Sequence, residues 1–332
     1  MSVSAQLSSS DGRQLSAPVP GSWEVRTVIL KFKLGETTLF KVPMTMAVAT
    51  AHFTELAEDA FATWSQWDAV PAAVQGVVIK SQPVSSELPR LTHFATGIRY
   101  VPAQYRRFYL EFGPSFAEYL QKFSSQTRQK RRKEVRKFAE SSGGAIDLRA
   151  YRTAQELTEF LREARALSQM TFQERLLGAG LPASDAYRKY LLETGAAGRV
   201  RAFILFHAGK AAAYLLYEIR EPGIVLSMYT GYDPELRALS PGSVIHYLAI
   251  EKLFGESALR MLDFTEGEGT HKQFYATGSR QCADIYFLKP SLRVGLLLRL
   301  HAGMDFLSRT IVGALDRLGL KAKIKKLIRA RA

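Results

Sequence analysis

Apolar and polar residues change period along this chain, and each change marks an element. Residues 25–34 and 37–42 are β-rich runs on either side of Gly35-Glu36, which predicts a hairpin turning at that pair. Apolar residues then recur at Phe53, Leu56, Ala57, Ala60, Phe61 and Trp64, a helical spacing that predicts a helix over 51–67. Runs at 74–79, 97–101 and 106–112 read as strands, so residues up to about 112 form a small mixed α/β lobe. A long helical region covers 115–140, with a break at Ser124-Ser125, where a serine can cap a new helix. After Gly143-Gly144 come a short strand to Tyr151 and helices at 153–170 and 183–193. A meander follows at 199–206, 210–218 and 224–229, with turns at Ala208-Gly209 and Glu221-Pro-Gly223. A helix over 242–254 and strands at 259–264 and 284–288 complete an α/β sheet with one helical crossover. In the tail, Leu300, Met304, Leu307, Ile311, Leu315 and Leu318 again keep helical spacing, as do Ile324, Leu327 and Ile328.

A length of 332 residues points to two domains or to one large α/β unit with a duplicated core. The expected division is a disordered lead-in at 1–22, an N-terminal lobe at 23–140, a catalytic lobe at 141–290 and a basic helical tail at 291–332. A composition of 47% hydrophobic and 23% charged residues is that of a folded chain. The net charge of +14 points to anionic partners: nucleic acid, a membrane surface or phosphorylated ligands. The single cysteine, Cys282, excludes a disulfide framework and a cysteine-rich zinc site. Residues 1–22 are polar and lack the pattern of a signal peptide, and the uncharged apolar runs are too short to span a bilayer. The chain is therefore expected in the cytoplasm, soluble or peripheral on the inner face of the membrane.

Residues 237–243, Arg-Ala-Leu-Ser-Pro-Gly-Ser, stand where a strand, a Pro/Gly turn and a helix meet. The first N–H groups of a helix lack partners and carry partial positive charge, so such a junction attracts anions. Arg237 adds a full charge, Ser240 and Ser243 add hydroxyls, and the expected occupant is a phosphate or pyrophosphate. This loop resembles the acyl-CoA loop of the GNAT acyltransferases, Arg/Gln-x-x-Gly-x-Gly/Ala at the end of a splayed strand. Arg237, Ser240 and Gly242 occupy the named positions, with serine in place of the first glycine, which restricts the backbone there.

The element order from 153 to 288 is also that of the GNAT fold. Three segments sharpen the resemblance: Ser124-Ser-Gln-Thr-Arg128 with the basic residues after it, Ser240-Pro-Gly-Ser243, and Asp263-Phe-Thr-Glu-Gly267 followed by His271-Lys272. Together they resemble the CelD/BcsL-type acetyltransferases of cellulose and exopolysaccharide synthesis, a branch similar to the FemABX double-domain aminoacyltransferases. The last motif of that branch reads Asp-Phe-x-x-Gly-(acidic)-x-x-(Tyr)-Lys. Asp263, Phe264, Gly267, Glu268 and Lys272 match it, and His271 stands where tyrosine is usual. The resemblance implies a GNAT fold, with two GNAT-like lobes, and an acyl-CoA donor. The strand through Met228 and Tyr229 would face the pantetheine, and Arg237, Ser240, Gly242 and Ser243 would hold the pyrophosphate.

Acyl transfer from a thioester needs a held donor, a deprotonated nucleophile, a stabilised oxyanion and a proton for the leaving thiolate, but no metal. His271 is the candidate base, with Asp263 orienting or charging it; Tyr229 and Tyr275 are candidate proton donors. Lys272 and Glu266 are candidates for binding the acceptor, and Glu218 is a further possible base. The histidines at 52, 93, 207, 246, 271 and 301 show no His-Glu-x-x-His spacing, and no Gly-x-Ser-x-Gly elbow, dinucleotide fingerprint or Walker lysine occurs.

Two basic segments remain. In 128–137 the charges fall all round the helix, which describes a solvated helix and, alternatively, a nucleic-acid or phospholipid contact. The tail from Ser291 holds ten Lys/Arg against two Asp around its apolar stripe, which suits an anionic membrane interface or packing on the body of the protein. The acceptor expected from this is an amine or hydroxyl of a lipid, such as a long-chain sphingoid-type base, or of a lipid-linked or polysaccharide sugar. Nucleic acid is not the expected partner. The alternatives are an aminoacyl-tRNA-dependent ligase of FemABX type and a non-catalytic scaffold of a membrane synthase.

Overall fold

The computed structural model describes residues 23–34, 37–61, 63–64, 66–171, 180–220, 222–267 and 269–317. The expected lead-in at 1–22, the Gly35-Glu36 turn, Glu268 and the tail beyond Arg317 lie outside them. The chain divides into two compact units. One comprises residues 1–32, 40–104 and 282–303, the other 33–39, 105–281 and 304–332.

In the first unit the strands are β1 (Trp23–Leu34), β2 (Thr37–Ala49), β3 (Gly76–Pro83), β4 (Leu91–Phe94), the start of β5 (Gly97–Glu111) and the end of β11 (Gly278–Leu288). β2 and β3 pair in parallel, and β3 pairs antiparallel with β11, Val77 opposite Phe287. Phe61, Trp64, Val77, Ile79, Ile285 and Phe287 fill its core. The helix expected over 51–67 is absent among the described residues. Turns and a 3-10 turn at Trp67–Ala69 stand there instead, although Phe53, Leu56, Phe61 and Trp64 are buried as the spacing required. The cause is local: Asp59 adopts a left-handed φ of 55°, which no α-helix accepts, and its carboxylate binds the Ser85 N–H and hydroxyl. The two strands expected at 97–101 and 106–112 are one strand, β5, which runs through Pro102.

The second unit carries a sheet in the order β5–β10–β9–β8–β7–β6. Its strands are β6 (Asp147–Tyr151), β7 (Val200–His207), β8 (Lys210–Arg220), β9 (Ile224–Tyr232) and β10 (Met261–Asp263), with the end of β5. β7 to β9 form the expected antiparallel meander, and β6 pairs antiparallel with β7 at its edge. Helices α3 (Ala154–Met170) and α4 (Asp185–Ala196) cover one face, burying Leu157, Phe160 and Leu167 against Ile204 and Leu216. Thr153 and Glu156 close a capping box at the start of α3. On the other face, α2 (Ser125–Ser141) and α5 (Pro241–Phe254) bury Phe138, Val244, Ile245 and Leu253 against Phe203, Leu215 and Tyr217. The break at Ser124 is where the sequence puts it: α1 (Phe116–Leu120) ends, and the Ser124 hydroxyl accepts the Thr127 N–H at 3.2 Å. Short α6 (Thr270–Tyr275) precedes β11, and α7 (Leu292–Arg317) follows it. No helix among the described residues is long and apolar enough to cross a membrane.

Candidate functional site

The site begins where two parallel strands part. β9 and β10 are in register from Ile224 opposite Met261 to Leu226 opposite Asp263; β10 then ends while β9 continues to Tyr232. On the far edge of β9, Leu216 opposes Tyr229 and Tyr217 opposes Ser227, so Met228 is an unmatched bulge residue that re-aims the strand. On the β10 side, Asp263 is fully buried and its carboxylate is held by the Arg107 guanidinium, through Nε at 3.1 and 3.2 Å and also through Nη2. The same carboxylate accepts the Thr265 N–H at 2.8 Å. Thr265 sits at a left-handed φ of 59°, and its hydroxyl lies 3.2 Å from the Ser227 carbonyl. The pair and the turn together fix the corner at which the strands separate.

Past the parting, Thr230, Gly231 and Tyr232 of β9 enter the wall of a cavity of about 650 Å³, within the size range of small-molecule sites. Its floor is the loop into α5. The 3-10 turn Pro234–Leu239 ends at Ser240, which is left-handed at φ 54°, ψ 45° and makes no side-chain cap. Serine thus occupies the conformation for which glycine is favoured. Ser243 and Val244 direct their N–H groups to the Ser240 carbonyl at 2.9 and 3.1 Å, and Pro241 has no N–H. The Gly242 N–H has no partner among the described residues. A Cβ at Gly242 would stand 3.3 Å from the Tyr232 ring, so the loop lies close under β9. Arg237 is exposed at the rim and makes no ion pair among the described residues.

One turn into α5, His246 is buried in the cavity wall, and its Nδ1 has no hydrogen-bond partner among the described residues. Its ring stacks on His271 at 5.2 Å and lies 5.7 Å from that of Tyr275. Burial, then the neighbouring His271, lowers the His246 pKa to about 3. Burial, then Lys272, also lowers that of His271. Both imidazoles are therefore neutral at neutral pH. Opposite, Arg131 of α2 reaches the cavity with its guanidinium 4.7 Å from the Phe274 ring, in an ion pair with Glu134 one turn on. The cavity wall thus combines two guanidinium groups, a helix N-terminus and a bare imidazole nitrogen, which suits a polyanion with an uncharged body.

Of the residues expected at the site, Arg237, Ser240, Gly242, Ser243, His271 and Tyr275 share this cavity. Tyr275 is buried, burial raises its phenol pKa, and its hydroxyl donates to the Ser243 carbonyl at 3.2 Å. The others stand apart from the cavity wall. Met228 is the bulge residue, and Tyr229 packs its ring on Tyr187 at 5.8 Å. The expected coupling of Asp263 to His271 gives way to the Arg107 pair, because a carboxylate without solvent needs a full opposite charge. Lys272 donates to the Glu266 and Thr265 carbonyls, tying the turn after β10, and the exposed Glu266 supplies only its carbonyl to that tie. Glu218 accepts the Tyr190 hydroxyl at 2.7 Å. Among the described residues no cluster of His, Cys, Asp and Glu is arranged to hold a metal.

Sequence reasoning passed over Arg107 and His246, and took Arg131 only as part of a basic helix in contact with RNA under the alternative reading. Each carried a signal: Arg107 is a charge within an aromatic strand, and His246 is a lone polar residue on the apolar face of Val244, Ile245, Ala249 and Ile250. Arg131 was hidden in a run of like charges whose inward member only packing selects.

A family model described as an acetyltransferase (GNAT) domain matches residues 125–273, the span that holds the meander, the parting, the loop and both histidines. The fold is the GNAT fold. Solved structures similar to the chain include FemX, at 10% identity and TM-score 0.48, covering 83% of this chain and 90% of that one. L-PGS from Bacillus licheniformis is similar at 14% identity and TM-score 0.42, covering 68% of this chain and 72% of that one. A tandem GNAT protein from the clavulanic acid biosynthesis pathway is similar at 13% identity and TM-score 0.36, covering 65% of each chain. None of the curated proteins matches the chain by sequence.

Proposed function

We propose that this protein is an acyltransferase that takes its acyl group from a CoA thioester and passes it to an amine or hydroxyl of a lipid or saccharide. The observation that carries the reading is the alignment of the parted β9 edge with the α5 N-terminus, where the Gly242 N–H, Arg237 and Arg131 border one cavity. An extended thiol-bearing chain fits along the strand edge, and its pyrophosphate fits over the helix N-terminus. The match of 125–273 to the GNAT domain supports the same donor.

In this reaction the acceptor amine or hydroxyl attacks the thioester carbonyl, its proton passes to a base, and the C–S bond breaks to release the CoA thiolate, which takes up a proton. His271 is the base the cavity offers, since its imidazole is uncharged and its ring borders the donor site. Tyr275 in the cavity wall and Tyr229 on the donor strand itself are the phenols offered for the thiolate. Arg107 and Asp263 act through the corner they fix, as positioning residues. A saccharide acceptor is what the CelD/BcsL resemblance implies; a lipid amine suits the basic apolar tail. Mass spectrometry of lipid and polysaccharide extracts from a deletion strain separates the two.

Arg237→Glu combined with Gly242→Asp places two negative charges in the anion site. We expect acyl-CoA affinity measured by calorimetry to fall at least about tenfold, about 1.4 kcal/mol, with the melting temperature checked in parallel. Unchanged acyl-CoA binding in a folded variant, or salt-sensitive binding of tRNA in its place, overturns the assignment of this loop.

A further inference from the structure

We infer that the outward face of α7 (Leu292–Arg317) is a docking surface for an anionic lipid bilayer, independent of the acyl-donor cavity. The inward face of this helix is already used. Leu298 and Ser308 are buried, and His301 is held by the Tyr100 hydroxyl and by the Lys31 carbonyl at 3.1 Å. The opposite face should then be polar, and it is not. Leu292, Leu296, Leu300, Phe306, Leu307 and Ile311 are exposed, from 40% for Ile311 to 96% for Leu292. At about 100° per residue these six fall within one arc of about 140°, and they extend about 28 Å along the axis. A helix packed on a protein ordinarily turns its polar side to water; this one turns an apolar stripe outward.

Charge selects the occupant. Arg293 and Arg299 are exposed and fall at helical positions on or beside the same arc, while Asp305 falls on the inward side. From Arg317 to the last residue the sequence adds seven Lys/Arg and no Asp or Glu. A second copy of this chain would bring the same positive charges against the stripe, with no acidic side chain on the arc to meet them. An anionic bilayer supplies both the apolar depth and the negative charge.

The test is flotation of the full-length protein with vesicles of phosphatidylcholine, alone or mixed with phosphatidylglycerol, at low and high salt. We expect binding to the mixed vesicles only, weakened by salt. Leu296→Asp with Leu300→Asp should lower that binding at least about tenfold while leaving the melting temperature and acyl-CoA binding unchanged. Phe306→Trp should gain fluorescence quenching by brominated lipid beyond that of the native tryptophans. Equal partition to neutral and anionic vesicles, no quenching at position 306, or a dimer that the aspartates split while vesicle binding persists, each overturns the proposal. Loss of acyl-CoA binding without loss of flotation would strike the donor-site reading alone.

Discussion

Asp263 has no exposed surface, so its charge is supported by what surrounds it: the Arg107 guanidinium and the Thr265 N–H. Removing one partner of such a pair leaves the other charged and dry, which costs about 3–5 kcal/mol. Arg107→Leu and Asp263→Asn should each lose that much by chemical denaturation, while the double replacement by apolar residues should recover part of it. Single losses under about 1 kcal/mol would show that the pair does not hold the corner. His246 gives a second expectation at this scale. Its folded pKa, about 3, lies below the ordinary value of 6.5, so the unfolded chain binds a proton that the folded one refuses. Stability from this residue is intact above about pH 6.5 and falls by about 1.4 kcal/mol per unit as the pH drops toward 3. His246→Gln should therefore flatten the decline of melting temperature between neutral and acid pH; an unchanged slope would refute it. Asp263 was legible in the sequence as part of a motif, but its partner was not. Arg107 lies on a strand far away in sequence, and only tertiary pairing reveals which of two adjacent arginines turns inward.

Elements followed the sequence wherever local chemistry alone decides them. α3 with its capping box and the restart of the helix at Ser124 rest on contacts within a few residues, and the meander on short turns that join neighbouring strands. Ser124→Ala should cost about 1 kcal/mol by denaturation, since it removes the acceptor for the Thr127 N–H at the start of α2. A negligible loss would mean that packing of Phe138 and Val135, not the cap, sets where α2 begins. Helical spacing at 51–67 named four side chains that are buried, Phe53, Leu56, Phe61 and Trp64, but also Ala57, which is exposed, and it misassigned the backbone. Periodicity reports which residues face a core, and Asp59 in a left-handed turn can present the same residues without a helix. β5 shows the reverse: the two runs expected as separate strands are one, and it passes through Pro102, a residue tolerated at sheet edges and irregular positions. The turn at Arg237–Ser243 into a helix was legible because Pro and Gly mark such a junction locally; the stacked His246 and His271 were not, because α5 and α6 meet only in the fold.

At the scale of the molecule, the two compact units interleave along the chain: residues 105–281 of one lie between the 40–104 and 282–303 segments of the other. Composition alone divides a chain linearly and gives no sign of such an order. In the first unit β3 (Gly76–Pro83) takes as its antiparallel partner the Cys282–Leu288 end of β11. About 200 residues separate the two, so at about 5–20 residues per second β3 leaves the ribosome about 10–40 s before its neighbour exists. Through that interval a strand of Val77, Val78 and Ile79, wholly buried in the finished protein, has an unpaired edge. Biosynthesis thus imposes a schedule in which residues 105–281 of the second unit are made before β3 gains this partner.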